Sequence, residues 1–300
     1  MEHQLITISE CPVCSSKHQN KFLESSDYFL SKKPFSINQC SDCGFLFTNP
    51  RPKDVDLPAY YDSKEYISHS NTKTGTVSKL YQLVRNYTLG KKVQLITKYI
   101  PEGKVLDIGC GTGEFLFTMQ QSGFEVSGIE PNPEARKFGQ EKHGLTVYPE
   151  EHLEKFQETK FEVITMWHVL EHVSDLQNRM KQLKKLLHQS GILIIAVPNP
   201  ASMDAAIYKK FWAAYDLPRH LFHFRKEDIK NLANQHGFNI IKIYPMKFDS
   251  YYVSLLSEKY KTGKSNLLKA FLNGFISNLN ASFANKNYSS LIYVLKHKIG

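Results

Sequence analysis

Short apolar runs recur along the chain after residue 100 and alternate with longer mixed segments. The runs are rich in Val, Ile and Leu, which is typical of strands buried on both faces of a parallel sheet. The strands predicted from them are Val105–Ile108, Glu125–Ile129, Phe161–Trp167, Gly191–Pro198, Phe238–Tyr244 and Ser290–Leu295. Strands that alternate with helical segments predict an α/β fold.

Helical periodicity fills the segments around these runs. A helix from Lys79 to Ile100 is predicted by apolar residues at i, i+3, i+4 and i+7, namely Leu80, Leu83, Val84 and Tyr87. Ser174 is the predicted N-cap of a helix that runs to Leu187. A further helix is predicted over Glu227–Gln235, where Gly237 follows it.

One more helix, near the C-terminus, carries unusually large apolar residues along one face. These residues are Leu267, Leu268, Phe271, Leu272, Phe275, Ile276 and Leu279. Packing of this face against the sheet is the expected arrangement. A lid, a dimer surface and a lipid-facing element are the alternatives.

The first predicted strand runs into three alternating glycines, Gly109, Gly111 and Gly113, and a helix opens at Glu114. Residues without a Cβ let a ligand approach the backbone closely, so this turn predicts a nucleotide-type site. Glu114 breaks the dinucleotide fingerprint G-x-G-x-x-G/A, and the Gly-Lys-Ser/Thr ending of a P-loop is absent. Glu130 lies 21 residues after Gly109, close to the roughly 20-residue offset at which an acid meets ribose hydroxyls in Rossmann-like sheets.

The segment Asp107-Ile-Gly-Cys-Gly-Thr-Gly113 resembles the first motif of class I S-adenosylmethionine (SAM)-dependent methyltransferases. The resemblance implies a Rossmann-like, seven-stranded class I methyltransferase sheet with SAM as the cofactor. It implies that SAM contacts Asp107, Gly109, Cys110, Gly111, Gly113, Glu130, Trp167 and His168.

Four of the five cysteines form two C-x-x-C knuckles, Cys11–Cys14 and Cys40–Cys43, separated by 25 residues. Two such turns can complete a tetrahedron of thiolates around Zn²⁺. Disulfides or redox dithiols are the alternative, but they do not suit paired knuckles in a cytosolic chain. Four ligands leave no open position for water, so Cys11, Cys14, Cys40 and Cys43 predict a structural zinc ribbon.

The knuckles, the N-P-R-P segment at Asn49–Pro52 and the Tyr60-Tyr-Asp segment together resemble bacterial methyltransferases with an N-terminal zinc ribbon. Some relatives of that kind methylate nucleotide-linked sugars at carbon. This resemblance implies a small, anionic acceptor.

The fourth predicted strand enters His168-Val-Leu-Glu-His172, at the sheet edge where ligands bind in open α/β folds. On a helix, His168, Glu171 and His172 would share one face. H-x-x-E-H also matches an inverted zinc-protease motif, but a third ligand and the helical scaffold are missing. The segment resembles E-V-V-E-H-V of ubiquinone-type O-methyltransferases, with His168 in place of the first acid. A divalent metal at Glu171 and His172 therefore stays open.

Residues 199–225 form an insertion too long for an ordinary connection. Its predicted acceptor-binding residues are Arg219, whose guanidinium can grip an anion, and the aromatic Trp212 and Tyr215. Methyl transfer needs alignment and a base near neutral pH, and histidine meets the second need. The candidate catalytic residues are His220, His223, His168 and His172. His220 is preferred because it adjoins Arg219, and the insertion is expected to fold over the methyl group.

The 300 residues carry a net charge of +9, and residues 241–300 alone hold nine Lys and two acids. Such an end can meet nucleic acid, a phosphorylated substrate or an anionic lipid surface, or it is simply a solvated face. The chain has no signal peptide pattern and no apolar run long enough to span a membrane, which predicts a cytoplasmic protein. Nucleic acid is not the expected partner.

The predicted organisation is a zinc ribbon over 1–58, a linker and helix over 59–98, and a methyltransferase domain over 99–300 with insertions at 199–225 and 247–289. The predicted function is SAM-dependent methylation of oxygen or carbon on a small acceptor. An rRNA methyltransferase is the first alternative, since zinc ribbons precede this fold there too. Against it, no N-P-P-Tyr/Phe follows the fourth strand and the basic tail lacks Arg. A non-enzymatic SAM-binding scaffold is the second alternative.

Overall fold

The computed structural model describes residues 4–61, 76–156 and 159–298, with side chains of the long N-terminal helix described from residue 82 onward. Residues 62–75 of the predicted linker lie outside the described residues.

The N-terminal part is built from small antiparallel sheets. Its strands are β1 (Leu5–Ile6), β2 (Gln19–Ser26), β3 (Pro34–Cys40), β4 (Leu46–Thr48) and β5 (Arg51–Pro52), followed by a 3₁₀ turn at Asp54–Tyr60. β1 pairs with β5, and β2, β3 and β4 form one sheet. The sequence did not predict β2 and β3, because their polar, half-exposed residues lack a clear apolar run.

The central sheet has seven strands, as the resemblance implies. In chain order they are β6 (Lys104–Ile108), β7 (Glu125–Ile129), β8 (Val147–Tyr148), β9 (Phe161–Trp167), β10 (Leu187–Pro198), β12 (Phe238–Pro245) and β13 (Ser290–His297). Their spatial order is β12-β13-β10-β9-β6-β7-β8. β13 is antiparallel to both of its neighbours, whereas β10, β9, β6, β7 and β8 run parallel. The glycine turn therefore lies at the carboxyl edge, where the strand order reverses.

One strand of the insertion leaves the central sheet altogether. β11 (Phe222–His223) pairs antiparallel with β4 and completes a four-stranded sheet with β3 and β2. Phe222 and Phe224 pack on Phe45 of the knuckle region, with ring centroids 5.8 and 5.5 Å away. The insertion thus joins the N-terminal sheet to the central domain.

Eight α-helices lie in the described ranges. They are α1 (Thr76–Thr97), α2 (Glu114–Gln121), α3 (Pro133–His143), α4 (Leu176–Leu186), α5 (Met203–Tyr208), α6 (Lys226–Gln235), α7 (Asp249–Thr262) and α8 (Leu267–Phe283). Of these, α5, α7 and α8 pack on one another, and α5 and α7 also pack on the N-terminal sheet. Short 3₁₀ turns lie at Glu150–Phe156, Leu170–His172, Lys209–Phe211 and Ala213–Tyr215. Asp175, and not the predicted Ser174, caps α4, because its carboxylate accepts from the Asn178 amide at 3.0 Å.

The expectation that α8 packs its large apolar face on the sheet is wrong. Its buried residues are the small ones, Ala270, Gly274, Ser277 and Ala281, and its Leu, Phe and Ile side chains point away from the protein. Gly274 permits this close approach, since a Cβ there would lie 2.8 Å from the ring of Tyr251 on α7. Within the described ranges, no helix combines the length and apolarity that a membrane crossing requires.

Candidate cofactor and active site

The glycine turn after β6 leaves one side of its backbone open. Gly109, Gly111 and Gly113 all have positive φ angles. A Cβ on Gly109 would lie 2.4 Å from Cγ2 of Val169, so that position requires glycine on steric grounds. A Cβ on Gly111 would meet no atom within 4 Å. The turn is therefore packed beneath Gly109 and open above Gly111, as a bound ligand would require.

Two buried carboxylates flank this turn. Glu130 accepts from the backbone N–H of Gly111 at 2.8 Å and from that of Asn132 at 2.9 Å. Burial raises the pKa of Glu130, although these hydrogen bonds oppose the rise. Asp107 accepts from the Thr165 hydroxyl at 2.6 Å, and burial raises its pKa to about 7. Glu130 thus fixes the turn and keeps acceptor capacity for further donors.

Cys110 and Trp167 lie on either side of the turn. The thiol of Cys110 is buried and packs against Gly128, where an added Cβ would lie 2.7 Å from the sulfur. Any contact of Cys110 with a ligand would therefore use its backbone. Trp167 is half-buried at the end of β9, with Nζ of Lys92 4.0 Å from its ring centroid. The edge of Phe115 meets the same indole at 5.4 Å.

His168 forms an ion-paired link between two carboxylates. Its Nε2 lies 3.1 Å from Asp249 Oδ2, and its Nδ1 lies 3.4 Å from Glu171 Oε1. Burial disfavours the charged ring, but the two carboxylates outweigh burial and raise the pKa of His168 to about 10. The predicted shared helical face is wrong, since only residues 170–172 form a 3₁₀ turn and His168 has a left-handed φ of 56°. His168 is thus a cation at neutral pH and is unsuited to act as a base.

His172 and His220 meet edge to face, with ring centroids 4.6 Å apart. Nδ1 of His220 lies 2.8 Å from the carbonyl oxygen of Ala214. Because a carbonyl only accepts, this contact places the hydrogen on Nδ1 and the lone pair of the neutral ring on Nε2. Burial lowers the pKa of His172 to about 4, and any charge on His220 would act in the same direction.

Glu171 lies beside both rings. One ligand atom from each of Glu171, His172 and His220 falls within 4.8 Å of the other two. The Glu171 carboxylate is fully buried, and neither oxygen has a hydrogen-bond partner in the described part of the chain. The donor types would suit a divalent cation. However, the His168 imidazolium at 3.4 Å supplies positive charge where the resembling family has an acid, and it opposes a second cation there.

Arg219 is buried within a network of its own. Its guanidinium donates to Asp216 at 2.9 Å and to the Tyr60 carbonyl at 3.2 Å, and Nη1 lies 3.6 Å from Asp27. The guanidinium also lies 4.3 Å from the ring centroid of Phe29. Two carboxylates balance its charge, so the predicted grip on an acceptor anion would require this network to open.

The other predicted acceptor contacts pack into the N-terminal side. Trp212 is 2% exposed and donates to Asp204 at 2.7 Å, and the edge of Tyr215 meets its ring at 5.0 Å. His223 lies on β11 with Nε2 3.3 Å from the Thr48 hydroxyl, and burial lowers its pKa. The insertion therefore covers the N-terminal sheet. Among the residues predicted there, His220 is the one whose side chain contacts the H-x-x-E-H segment, at His172.

The four knuckle cysteines converge, with all sulfur atoms within 4.8 Å of one another. The separations between Cys11 and Cys43 and between Cys14 and Cys40 are 3.6 and 3.5 Å. A tetrahedron with zinc–sulfur bonds of 2.3 Å has sulfur atoms about 3.8 Å apart, so the cluster has the dimensions of such a site. Three side chains from distant segments donate hydrogen bonds to backbone carbonyls of the knuckles. Gln177 donates to Pro12, Gln235 to Val13 and Arg225 to Cys43.

With this geometry in view, residues 81–243 match the family model described as a methyltransferase domain. The chain belongs to this methyltransferase family. The matched segment runs from α1 to β12 and contains both the glycine turn and the H-x-x-E-H segment.

Curated relatives agree with the family. Over 108 residues, this methyltransferase-family chain is 38% identical to the ubiquinone biosynthesis O-methyltransferase of Actinobacillus pleuropneumoniae serotype 7, covering 32% of this chain and 46% of that protein. Over 167 residues it is 35% identical to the protein of the same name from Pelagibacter ubique, covering 49% of this chain and 70% of that protein. The chain thus spans about half the length of the first of these relatives.

Solved structures share the fold. A SAM-dependent methyltransferase from Archaeoglobus fulgidus superposes with a TM-score of 0.50 at 22% identity, covering 71% of this chain and 94% of that one. A magnesium protoporphyrin IX methyltransferase from Synechocystis, with bound SAH, gives 0.53 at 17% identity, covering 82% and 100%.

Three site residues of this methyltransferase-family protein were not predicted. Asp249 begins α7, 81 positions beyond His168, and no local motif marks it. Tyr61 places its hydroxyl 2.8 Å from Nδ1 of His172. Lys92 covers Trp167 from α1, and burial lowers its pKa to about 8. These residues reach the site through tertiary packing, which spacing along the sequence does not reveal.

Proposed function

We propose that this protein is a SAM-dependent methyltransferase that acts on an oxygen or carbon of a small-molecule acceptor. The observation that carries the proposal is the open glycine turn, with the Glu130 carboxylate bonded to the Gly111 amide at 2.8 Å. Oxygen is the favoured target, because the relatives at 35–38% identity are named O-methyltransferases.

The proposed cofactor site consists of the glycine turn and the residues beside it. Gly109, Cys110, Gly111 and Gly113 offer backbone, Glu130 offers acceptor oxygens to ribose hydroxyls, and Asp107 supports the turn from below. Trp167 and His168 border the same edge of the sheet. When bound, SAM supplies an electrophilic methyl group.

His220 is the proposed general base. The Ala214 carbonyl accepts its Nδ1–H, so Nε2, which lies 3.9 Å from Asp216 Oδ2, carries the lone pair that would take an acceptor proton. The cationic His168 is assigned to charge balance with Glu171 and Asp249. His172 is neutral at pH 7 and is assigned to positioning, since it packs on the His220 ring. His223 is assigned to packing against the N-terminal sheet.

The acceptor class is proposed from two directions. The N-terminal resemblance favours a nucleotide-linked sugar or similar anionic intermediate, whereas the named relatives act in ubiquinone biosynthesis. Arg219 is paired with Asp216 and Asp27. Its charge therefore does not support the first class, the nucleotide-linked sugars. A panel containing a catechol and a nucleotide-linked sugar separates the two classes.

We also propose that Cys11, Cys14, Cys40 and Cys43 hold one structural Zn²⁺. The sulfur separations of 3.5 and 3.6 Å support this, and a closed set of four thiolates leaves the metal no catalytic position. The proposed organisation keeps 1–58 as the ribbon, 59–98 as linker and helix, and 99–300 as the catalytic domain with insertions at 199–225 and 247–289.

The test of the proposed base is His220→Ala, with His188→Ala on the exposed start of β10 as the matched control. SAH release is measured with each acceptor of the panel, and SAM affinity is measured by calorimetry. His220→Ala should lower turnover by roughly 10²- to 10⁴-fold, the usual range for a lost general base. Its SAM affinity should stay unchanged, and His188→Ala should change neither quantity. Unchanged turnover in His220→Ala would refute its role, and absence of SAM binding by the unmodified protein would refute the proposed function.

A further inference from the structure

The outer face of α8 is a continuous apolar surface, which we name the α8 stripe. Its side chains recur every three or four residues over the whole helix, and their exposed fractions range from 43% at Ile276 to 84% at Phe283. The stripe consists of Leu267, Leu268, Phe271, Leu272, Phe275, Ile276, Leu279 and Phe283. Single exposed apolar residues are ordinary, but a contiguous apolar surface of this kind marks an interaction site.

The orientation of α8 is fixed by polar contacts on its inner face. The Ser277 hydroxyl donates to Asp204 at 2.6 Å, and the Asn273 amide donates to the Tyr208 hydroxyl at 2.8 Å. The Ser250 hydroxyl of α7 bonds the Gly274 carbonyl at 3.1 Å. Rotating the helix to bury its stripe would break these buried hydrogen bonds and drive large side chains into space shaped for Ala, Gly and Ser. The packing of the inner face therefore fixes the outward orientation of the stripe.

The dimensions of the stripe suit a flat apolar boundary. Seventeen residues at 1.5 Å each make a helix about 25 Å long. Lys269 is the one charged residue of α8, and it pairs with Glu258 at 3.4 Å. A helix with one apolar face, lying parallel to a surface, is the arrangement of interfacial helices that bury this face at the boundary of headgroups and acyl chains.

The charged residues that flank the stripe along the chain have a single sign. The sequence after Glu258 contains seven Lys and neither Asp nor Glu, and Glu258 itself is buried. Lys259, Lys261 and Lys264 precede the stripe, and Lys286 follows it. If a second copy of the chain packed on this face, lysines of the two copies would face each other. No acidic residue of this region would be there to pair with them. Anionic headgroups complement the same lysines.

We propose that the α8 stripe and its flanking lysines dock this protein onto the surface of a membrane that contains anionic lipids. The apolar side chains enter the headgroup boundary, and the lysines contact the lipid phosphates. The proposal does not depend on the methyl acceptor and concerns a surface outside the glycine turn and the histidine pair.

The experiment is flotation of the full chain with vesicles of phosphatidylcholine alone or with about 30% phosphatidylglycerol. Phe271→Ser with Phe275→Ser tests the stripe, and Phe22→Ser, an exposed residue of β2, is the matched control. Lys261→Glu with Lys264→Glu tests the charge. Its control is Lys33→Glu, an exposed residue just before β3. All substituted side chains are half-exposed or exposed, and calorimetric SAM binding checks that each variant folds.

The unmodified chain should bind the anionic vesicles, bind phosphatidylcholine alone much more weakly, and lose affinity as salt increases. The double serine variant should bind at least about tenfold more weakly. Each lysine lost should weaken binding about fivefold. The Phe22 and Lys33 variants should bind like the unmodified chain. Equal vesicle binding by the double serine variant would overturn the proposal. It would also be overturned if the unmodified chain ignored vesicles and formed a dimer that this variant dissociates.

Discussion

Glu130→Gln is the change that tests the cofactor site most directly. A carboxylate has about four lone-pair positions, and the amides of Gly111 and Asn132 occupy two of them at 2.8 and 2.9 Å. The remaining two suit two ribose hydroxyls. A glutamine amide keeps only one oxygen, and its NH₂ would face one of the two backbone N–H groups. The two backbone N–H groups and the two ribose hydroxyls make four donors. After the substitution they share at most two acceptor positions.

The expected magnitudes follow from that count. Loss of a hydrogen bond to a charged group costs about 1.5–3 kcal/mol, so calorimetry should report SAM binding roughly 10- to 150-fold weaker in Glu130→Gln. The ligand-free protein should also melt a few degrees lower, since one buried backbone N–H loses its acceptor. Glu134→Gln, an exposed residue at the start of α3, makes the same chemical change and should alter both quantities little.

The two readouts separate the roles of Glu130. A lower melting temperature with unchanged SAM affinity would mean that the carboxylate only fixes the glycine turn, and the ribose assignment would be refuted. Weaker binding with an unchanged melting temperature would support ribose contact but would contradict the two backbone hydrogen bonds.

Three further changes test other parts of the site. Gly111→Val should abolish calorimetric SAM binding, because its side chain would fill the open side of the turn and its φ of 56° is strained for valine. We expect metal analysis to find roughly one Zn²⁺ per chain in the unmodified protein. Cys11→Ser should release it, whereas Cys110→Ser should not. Asp249→Asn should lower the free energy of unfolding most below pH 6.5 and progressively less as pH rises. The reason is that Asp249 and Glu171 together raise the pKa of His168 to about 10 in the folded protein. The stability that Asp249 contributes through this pair is therefore complete below the unfolded pKa and is lost as pH rises through the folded one.

Each of these changes has a control and a contradicting result. Gly90→Ala, in α1 with open space around it, should leave SAM binding intact, and equal affinity in Gly111→Val would sink the turn assignment. Reduced protein without zinc would exclude the metal site. Asp42→Asn removes an exposed partner 3.7 Å from His18 and should show no comparable pH trend. A pH-independent effect of Asp249→Asn would refute the charged state of His168.

The central sheet could be predicted because its strands are locally encoded. Phe161–Trp167 has the predicted bounds, and the predicted Gly191–Pro198 lies within the observed β10, Leu187–Pro198. Strands buried on both faces need apolar residues at every position. Each such strand therefore appears in the sequence as a continuous apolar run bounded by turn residues. The glycine turn is similarly local, since three glycines with positive φ are dictated by backbone sterics within seven residues.

The N-terminal sheet and the orientation of α8 could not be predicted in the same way. β2 has only Leu23 and Phe22 as large apolar residues, and it is held by pairing with β3 and not by its own burial. For α8 the periodicity was correct, but periodicity does not tell which face meets the protein. The small residues Gly274 and Ser277 decide that orientation through contacts with α7 and α5.

The histidines show why a motif fixes a location but not a role. His168 and His172 are four residues apart, yet their pKa values move in opposite directions, to about 10 and about 4. For His168 the difference comes from Asp249, which adds a second carboxylate beside the ring. For His172 it comes from burial first, and then from the His220 ring, which would oppose a charge on His172. Both partners arrive from distant segments. His220 in turn owes its available Nε2 to the carbonyl of Ala214, a backbone atom that no side-chain pattern encodes. Acid–base roles at this site are therefore assigned by the tertiary contacts of each ring, and those contacts make His220 the ring to substitute first.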